Sequence, residues 1–368
     1  MQLEVQQKEI ERGLNFLQKA IPSRPQLPVL SALLITATED TCTIAATDLY
    51  FGVRVTLQAQ IKNPGVVAVP GKEFRELIQS LPPTAVIALS FSETTLTLTA
   101  GKIVCTLQCL ESADYPAFPA LEGETIPIAS EVIQSVVTHV CQSASLDQAR
   151  PLLTGILFAF STDTVRCVAT DGFRLSILDA SLNNSVEKTF VVPAKIINEV
   201  ARIITHLQVK EISFVVSETL KQVYCKAQTV EIFMRLLEGD YPPYQKILPT
   251  QFATELVISA ELLIEQARRA LIYSRDSSSV MTLSLENGTC SISATSTTLG
   301  SYHAEVEEAQ IKGPDVRISF KTKYVLDFLT TVADSDIWIG MNESLKPVLF
   351  KAQTVNQLQY VVMPFRVT

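Results

Sequence analysis

The chain has 368 residues, 47% of them hydrophobic and 18% charged, with a formal net charge of −8. That balance excludes a disordered chain and supplies apolar material for two or three cores. Taken alone the acidic total argues against nucleic-acid binding, although its distribution matters more, and no apolar run reaches the ~18 residues of a membrane span.

The N-terminus, Met1-Gln2-Leu3-Glu4-Val5, has no basic or apolar leader region, so a cytoplasmic protein without a secretory signal is expected. Residues 2–6 read as a strand. Ile10, Leu14, Leu17 and Ile21 then recur at helical spacing and predict a helix over 7–20. Val53, Val55, Leu57, Ala59 and Ile61 alternate with polar residues and predict one strand. A second helix is expected over 72–81, and the stretch closes on Asp114-Tyr115-Pro116. The order then starts again. A strand at 125–129 precedes helices at 130–142, with Ser130 as N-cap, and at 194–206, and the loop Asp240-Tyr241-Pro242 follows. A third round has a strand at 255–259, a helix at 260–272 with Ser259 as N-cap, an Asn287-Gly288 hairpin turn, and a helix at 322–332.

Three landmarks recur in step with this order. Pro28-Val29-Leu30 matches Pro151-Leu152-Leu153 and Ser279-Val280-Met281. Ala46-Thr47-Asp48 matches Ala169-Thr170-Asp171 and Ala294-Thr295-Ser296. Lys72, Lys195 and Lys323 each open the later helix. The spacing between copies is 123 to 128 residues, far above solenoid periods and long enough for a domain. The chain therefore reads as one α+β domain written three times, each with two helices packed on β-sheet. The boundaries fall at 1–122, 123–252 and 253–368.

The six expected helices sum to a charge of +1, so the strands and loops carry −9. No catalytic or metal-binding signature accompanies the repeat. His139, His206 and His303 have no partner spacing, and no phosphate-binding or nucleophile motif occurs. Asp48 and Asp171 follow strands, where catalytic aspartates can lie, but each belongs to a repeated turn and is expected to bond turn backbone. Seven scattered cysteines suggest a reducing compartment, with Cys105 and Cys109 expected as buried thiols rather than metal ligands. No enzyme activity, cofactor or metal is expected.

Ala169-Thr170-Asp171-Gly172-Phe173-Arg174-Leu175, Glu238-Gly239-Asp240-Tyr241-Pro242-Pro243-Tyr244 and Tyr360-Val361-Val362-Met363-Pro364-Phe365-Arg366 carry a further signal, with Ser23-Arg24-Pro25 and Pro28-Val29-Leu30. Over the whole chain these resemble the bacterial DNA polymerase III β subunit, the β sliding clamp family. The resemblance implies a head-to-tail homodimeric ring of six clamp domains that encircles duplex DNA without catalysis. It implies partners: the replicative DNA polymerase, a clamp loader and other proteins carrying a clamp-binding motif. Arg24, Lys72, Arg150 and Lys195 are placed facing DNA. A partner-peptide pocket is placed at Leu153, Thr170, Gly172, Phe173, Arg174, Leu175, Pro242, Lys246, Ile247, Tyr324, Val361, Met363, Pro364 and Phe365. Arg174 is expected as a polar clamp at its rim, and Leu175 and Val361 as either lining or core. Ser278, Leu345 and Pro347 depart from the family's common choices. The strand at 103–108 is expected to be a sheet edge that pairs with the third domain of the partner. A clamp-fold scaffold without a DNA role, or an enzyme using Asp48 and Asp171, stand as alternatives.

Overall fold

The computed structural model describes residues 1–118, 123–182, 186–217, 219–274 and 279–366. Ser278 lies outside them. The first copy runs β1 (Gln2–Gln6), α1 (Gln7–Leu17), β2 (Ala32–Ala37), β3 (Cys42–Thr47), β4 (Phe51–Leu57), β5 (Ala59–Asn63), β6 (Gly65–Pro70), α2 (Gly71–Ser80), β7 (Val86–Ser92), β8 (Thr95–Ala100) and β9 (Ile103–Gln108). The second runs β10 (Thr125–Ala129), α3 (Ser130–His139), β11 (Gly155–Ser161), β12 (Thr164–Thr170), β13 (Arg174–Ser181), β14 (Lys188–Pro193), α4 (Ala194–Leu207), β15 (Glu211–Ser217), β16 (Gln222–Ala227) and β17 (Val230–Arg235). The third runs β18 (Thr254–Ser259), α5 (Ala260–Ser274), β19 (Val280–Glu286), β20 (Thr289–Ser296), β21 (Gly300–Val306), β22 (Gln310–Lys312), β23 (Val316–Lys321), α6 (Thr322–Leu329), β24 (Asp336–Met341), β25 (Val348–Ala352) and β26 (Leu358–Val362). The six helices start where the periodicity predicted. Most end earlier, because a 3₁₀ turn or loop replaces the last α turn: α3 stops at His139 and Cys141–Ser143 is 3₁₀.

Among the described residues the strands form four antiparallel sheets. Two are confined to one copy each: β5-β1-β7-β8-β9 and β21-β20-β19-β23. The other two cross copy boundaries. In β10-β15-β16-β17-β4-β3-β2-β6, β17 pairs with β4, Phe233 opposite Gly52. In β14-β11-β12-β13-β26-β25-β24-β18-β22, β13 pairs with β26, Leu175 opposite Val361. Each half of the second copy is thus fused to a different neighbour. The chain accordingly forms two compact units, residues 1–130 with 196–236 and residues 131–195 with 237–368.

The first unit is built on the amphipathic face of α1, where Ile10, Leu14, Phe16 and Leu17 are buried. Gln7 is buried too, and its Nε2 donates to the Ile78 carbonyl at 3.0 Å, tying α1 to the end of α2. In the second unit Leu263, Ile264, Ala267 and Ala270 of α5 and Val325, Phe328 and Leu329 of α6 are buried. The Asn287-Gly288 turn joins β19 to β20 with both residues at positive φ, 52° and 77°, as the pair predicted.

Three local expectations are corrected. The alternating run 53–61 is two strands, not one. Val53, Val55 and Leu57 belong to β4, and the chain breaks at Gln58, whose amide donates to Glu9 Oε1, before β5 joins another sheet. Ser130 does not cap α3, since its buried Oγ has no hydrogen-bond partner. Cys105 and Cys109 are half-buried rather than buried.

Candidate peptide site and its repeats

The turn after the Ala-Thr-Asp landmark is the same device in each copy. Thr47 Oγ1 donates to the Phe51 carbonyl and accepts from the Leu49 amide, while Asp48 Oδ1 accepts from the Tyr50 and Phe51 amides at 2.9 and 2.7 Å. In the second copy Thr170 Oγ1 donates to the Arg174 carbonyl and accepts from Gly172. Asp171 Oδ1 accepts from Phe173 and Arg174 at 2.9 and 3.0 Å. In the third, Ser296 Oγ accepts from Thr298 and Leu299. Asp48 and Asp171 therefore hold turns, as the repeated landmark predicted. The matching tyrosines act alike. Tyr115 donates its hydroxyl toward the Ala45 carbonyl at 3.5 Å, and Tyr241 to the equivalent Val168 carbonyl at 3.4 Å.

The second turn carries the predicted pocket residues. Arg174 is not at a rim; only 9% of it is exposed. Its guanidinium bonds Asp171 Oδ2 at 3.1 Å, Asp327 Oδ2 at 2.6 Å and the Gln142 carbonyl, and lies 4.6 Å over the Tyr324 ring. Burial opposes that charge, but Tyr360, Asp327 and Asp171 around it hold its pKa above the ordinary value. Lys323 Nζ reaches the same Asp327 at 3.0 Å. Arg174 thus ties the β13 turn to α6. Asp327 and Gln142 were not singled out in the sequence, although Asp327 lies one helical turn beyond Lys323.

Leu175 and Val361 resolve as core. Both are buried in one cluster with Leu157, Val168, Ile177, Tyr244 and Leu349. Leu153 and Thr170 are buried as well. The accessible residues lie above this floor. Phe173 is 53% exposed, and Ile247 41%. Gly172, Pro242 and Lys246 are exposed, and Tyr324, Met363, Pro364 and Phe365 half-buried. The structure brings several together. The Met363 amide donates to the Phe173 carbonyl at 2.8 Å, and Lys321 Nζ lies 5.6 Å over Phe173 and 5.5 Å over Tyr324. Pro242, Lys246 and Ile247 flank Tyr244, which packs on Leu175 and Val361.

Arg24 is exposed in the loop between Ser23 and Pro25, and Lys72, at the start of α2, lines a cleft of about 590 Å³ with those two neighbours. Lys195 is exposed at the start of α4. A Cβ placed on Gly172 would lie 3.4 Å from Arg150 Nη1, so this arginine borders the turn of the peptide site.

The sequence matches the DNA polymerase III beta subunit family in all three of its parts: N-terminal domain over residues 1–119, central domain over 127–243 and C-terminal domain over 245–366. The chain belongs to the bacterial β sliding clamp family. A beta sliding clamp of Bacillus subtilis is 25% identical over 380 residues, covering 100% of both chains. One from Staphylococcus epidermidis is 27% identical over 365 residues, 96% of each. The crystal structure of the Bacillus subtilis clamp superposes with a TM-score of 0.93 over 100% of both chains at 24% identity. As a member of this family the chain is a non-enzymatic processivity factor for DNA synthesis. Burial pushes the thiols of Cys42 and Cys290 up to about 11 and that of Cys141 up to about 12, so none of the three is a nucleophilic thiolate at neutral pH.

Proposed function

We propose that two copies of this clamp close head to tail into a ring around duplex DNA, with domains at 1–122, 123–252 and 253–368. The incomplete third joint carries the proposal. The strand after the Thr-Asp turn of copy one, β4, pairs with β17, the last strand of copy two. The strand after the turn of copy two, β13, pairs with β26, the last strand of copy three. The strand after the turn of copy three, β21, is the outer strand of its sheet, and so is β9, the last strand of copy one. Ile103 and Val104 of β9 are 43% and 64% exposed. Pairing β21 with the partner's β9 repeats the other two joints and covers two open edges at each of two interfaces.

Such a ring holds DNA by linkage, so its contacts can be few and without base readout. Arg24, Lys72 and Lys195 supply exposed cations suited to phosphates, while Arg150 is reassigned to the peptide site. The replicative polymerase, the clamp loader and other cytoplasmic clamp-binding proteins dock through a short segment ending in Phe or Leu. Its side chains lie against Phe173, Ile247, Tyr324 and Met363 above the Leu175–Val361 floor.

The test is retention on DNA. Loaded protein should stay with nicked circular plasmid through gel filtration at elevated salt and be lost when the plasmid is linearised. Equal loss from both forms would leave only a clamp-fold scaffold. Sedimentation should show a dimer at micromolar concentration, and a monomer there would remove the ring.

A further inference from the structure

We infer that partner segments carry acidic residues just upstream of their apolar anchor, and that a groove beyond the C-terminal tail receives them. The inference rests on the peptide site proposed above and extends it. The tail is held on both flanks: the Met363 amide bonds Phe173, and the Phe365 amide bonds the Ser319 carbonyl at 2.7 Å. On the Ser319 side lies a cleft of about 560 Å³ lined by Arg317, Arg366, Thr282, Ser319 and Ser344, with Phe365 and the exposed Leu345 as its apolar part. Both arginines are exposed, and neither makes an ion pair among the described residues. Among the described residues no carboxylate lines the cleft, although the chain as a whole carries a net charge of −8. Thr282 Oγ1 and Ser319 Oγ share a hydrogen bond at 2.8 Å, leaving one hydroxyl proton between them to donate outward. Two guanidinium groups, with hydroxyls and no acid, fit carboxylates. Phe365 belongs both to this cleft and to the anchor site, so one extended segment can reach both. Because the anchor ends the peptide, the flank that enters the cleft is the upstream one.

The experiment uses the full-length dimer and three labelled peptides in a fluorescence titration. One holds the anchor alone (Gln, Leu and a terminal Phe), one adds two Asp residues upstream, and one adds two Lys. The acidic peptide should bind roughly threefold to tenfold tighter than the anchor peptide at low salt, and the gain should shrink as salt rises. Arg317→Gln with Arg366→Gln should erase that gain while the anchor peptide binds as before. Binding of the anchor peptide with no acidic gain, or an equal gain from Lys, overturns the inference and spares the anchor site. Failure of all three peptides on a correctly dimeric protein overturns the anchor site and this inference with it.

Discussion

The β4–β17 and β13–β26 joints are the same construction with different side chains, and the difference is the reason the proposed peptide site is placed at the second. Their backbones agree in detail. The Arg235 amide bonds the Tyr50 carbonyl at 2.8 Å, as Met363 bonds Phe173 at 2.8 Å. In the first joint Gly52 stands where the second has Leu175, and Phe233 where it has Val361. The Phe233 ring fills the space that Gly52 leaves open, since a Cβ on Gly52 would lie 1.7 Å from Phe233 Cζ. Phe51 stands where the second joint has Arg174, so that buried position carries no cation, and the charged pair of the first joint is the half-buried Arg54 and Glu231 facing each other across β4 and β17. Arg235 instead lies 5.8 Å over Tyr50, itself the counterpart of Phe173. The first joint is closed by its own aromatics. In the second, smaller apolar residues form a floor and an arginine takes over the fastening, which leaves the surface above Leu175 free for a guest.

Exchanging residues between the joints tests this account. The largest effect is expected from Arg174→Phe, which installs the residue of the first joint. Asp327 keeps Lys323 and Asp171 keeps two backbone amides, but both lose a buried partner, and Tyr324 loses its stacked cation. Replacing one member of a largely buried network should cost about 2–3 kcal/mol, somewhat less than for a fully buried pair. Urea denaturation measures it, and a loss below ~0.5 kcal/mol would mean that Arg174 does not fasten the turn to α6. Peptide affinity should fall with it, because Phe173 and Met363 lose their support.

Much of this organisation is legible in the sequence, and what is not has definite causes. The copies, the helices and the turn-building role of Asp48 and Asp171 follow from periodicity and from Asx chemistry. The break at Gln58 does not, because the alternation continues across it while the chain changes sheet. Arg174 reads as a rim residue because a lone Arg gives no sign of its partners, and Asp327 lies 153 residues away. Leu175 and Val361 could be lining or core by type. Only the cross-strand register places them opposite each other beneath the site.

A smaller effect is expected at the tip of each turn. Gly172 has φ +93°, and its counterpart Leu49 has φ +76°. A side chain in that region costs about 1 kcal/mol. Leu49→Gly should therefore be neutral or stabilising, while Gly172→Leu should lose about 1 kcal/mol and also press on Arg150. Thermal melts of the two variants measure the pair. Equal destabilisation by both would show that the tips are not equivalent.

The smallest effect concerns one helix position common to the two joints. Phe16 near the end of α1 meets His206 edge-on at 5.3 Å, and at the equivalent place in α3 stands His139, whose Nδ1 lies 3.1 Å from Thr331 Oγ1. Thr331 gives its own proton to the Phe328 carbonyl at 2.8 Å, so His139 donates from Nδ1 as a neutral ring. Burial holds its pKa below the ordinary 6.5. Above about pH 6.5 the ring is neutral in both folded and unfolded chains, and its contribution is fully present. As pH falls below that, the unfolded chain takes up a proton that the folded one resists. Stability then drops, and the drop levels off once the folded ring also protonates. His139→Phe copies the first joint and removes this dependence. Stability measured between pH 7.5 and 5 should fall less steeply in the variant, by no more than about 1.4 kcal/mol per pH unit, the limit for one proton. Parallel curves for the two proteins would show that His139 titrates alike folded and unfolded, and that the two helix positions differ in shape alone.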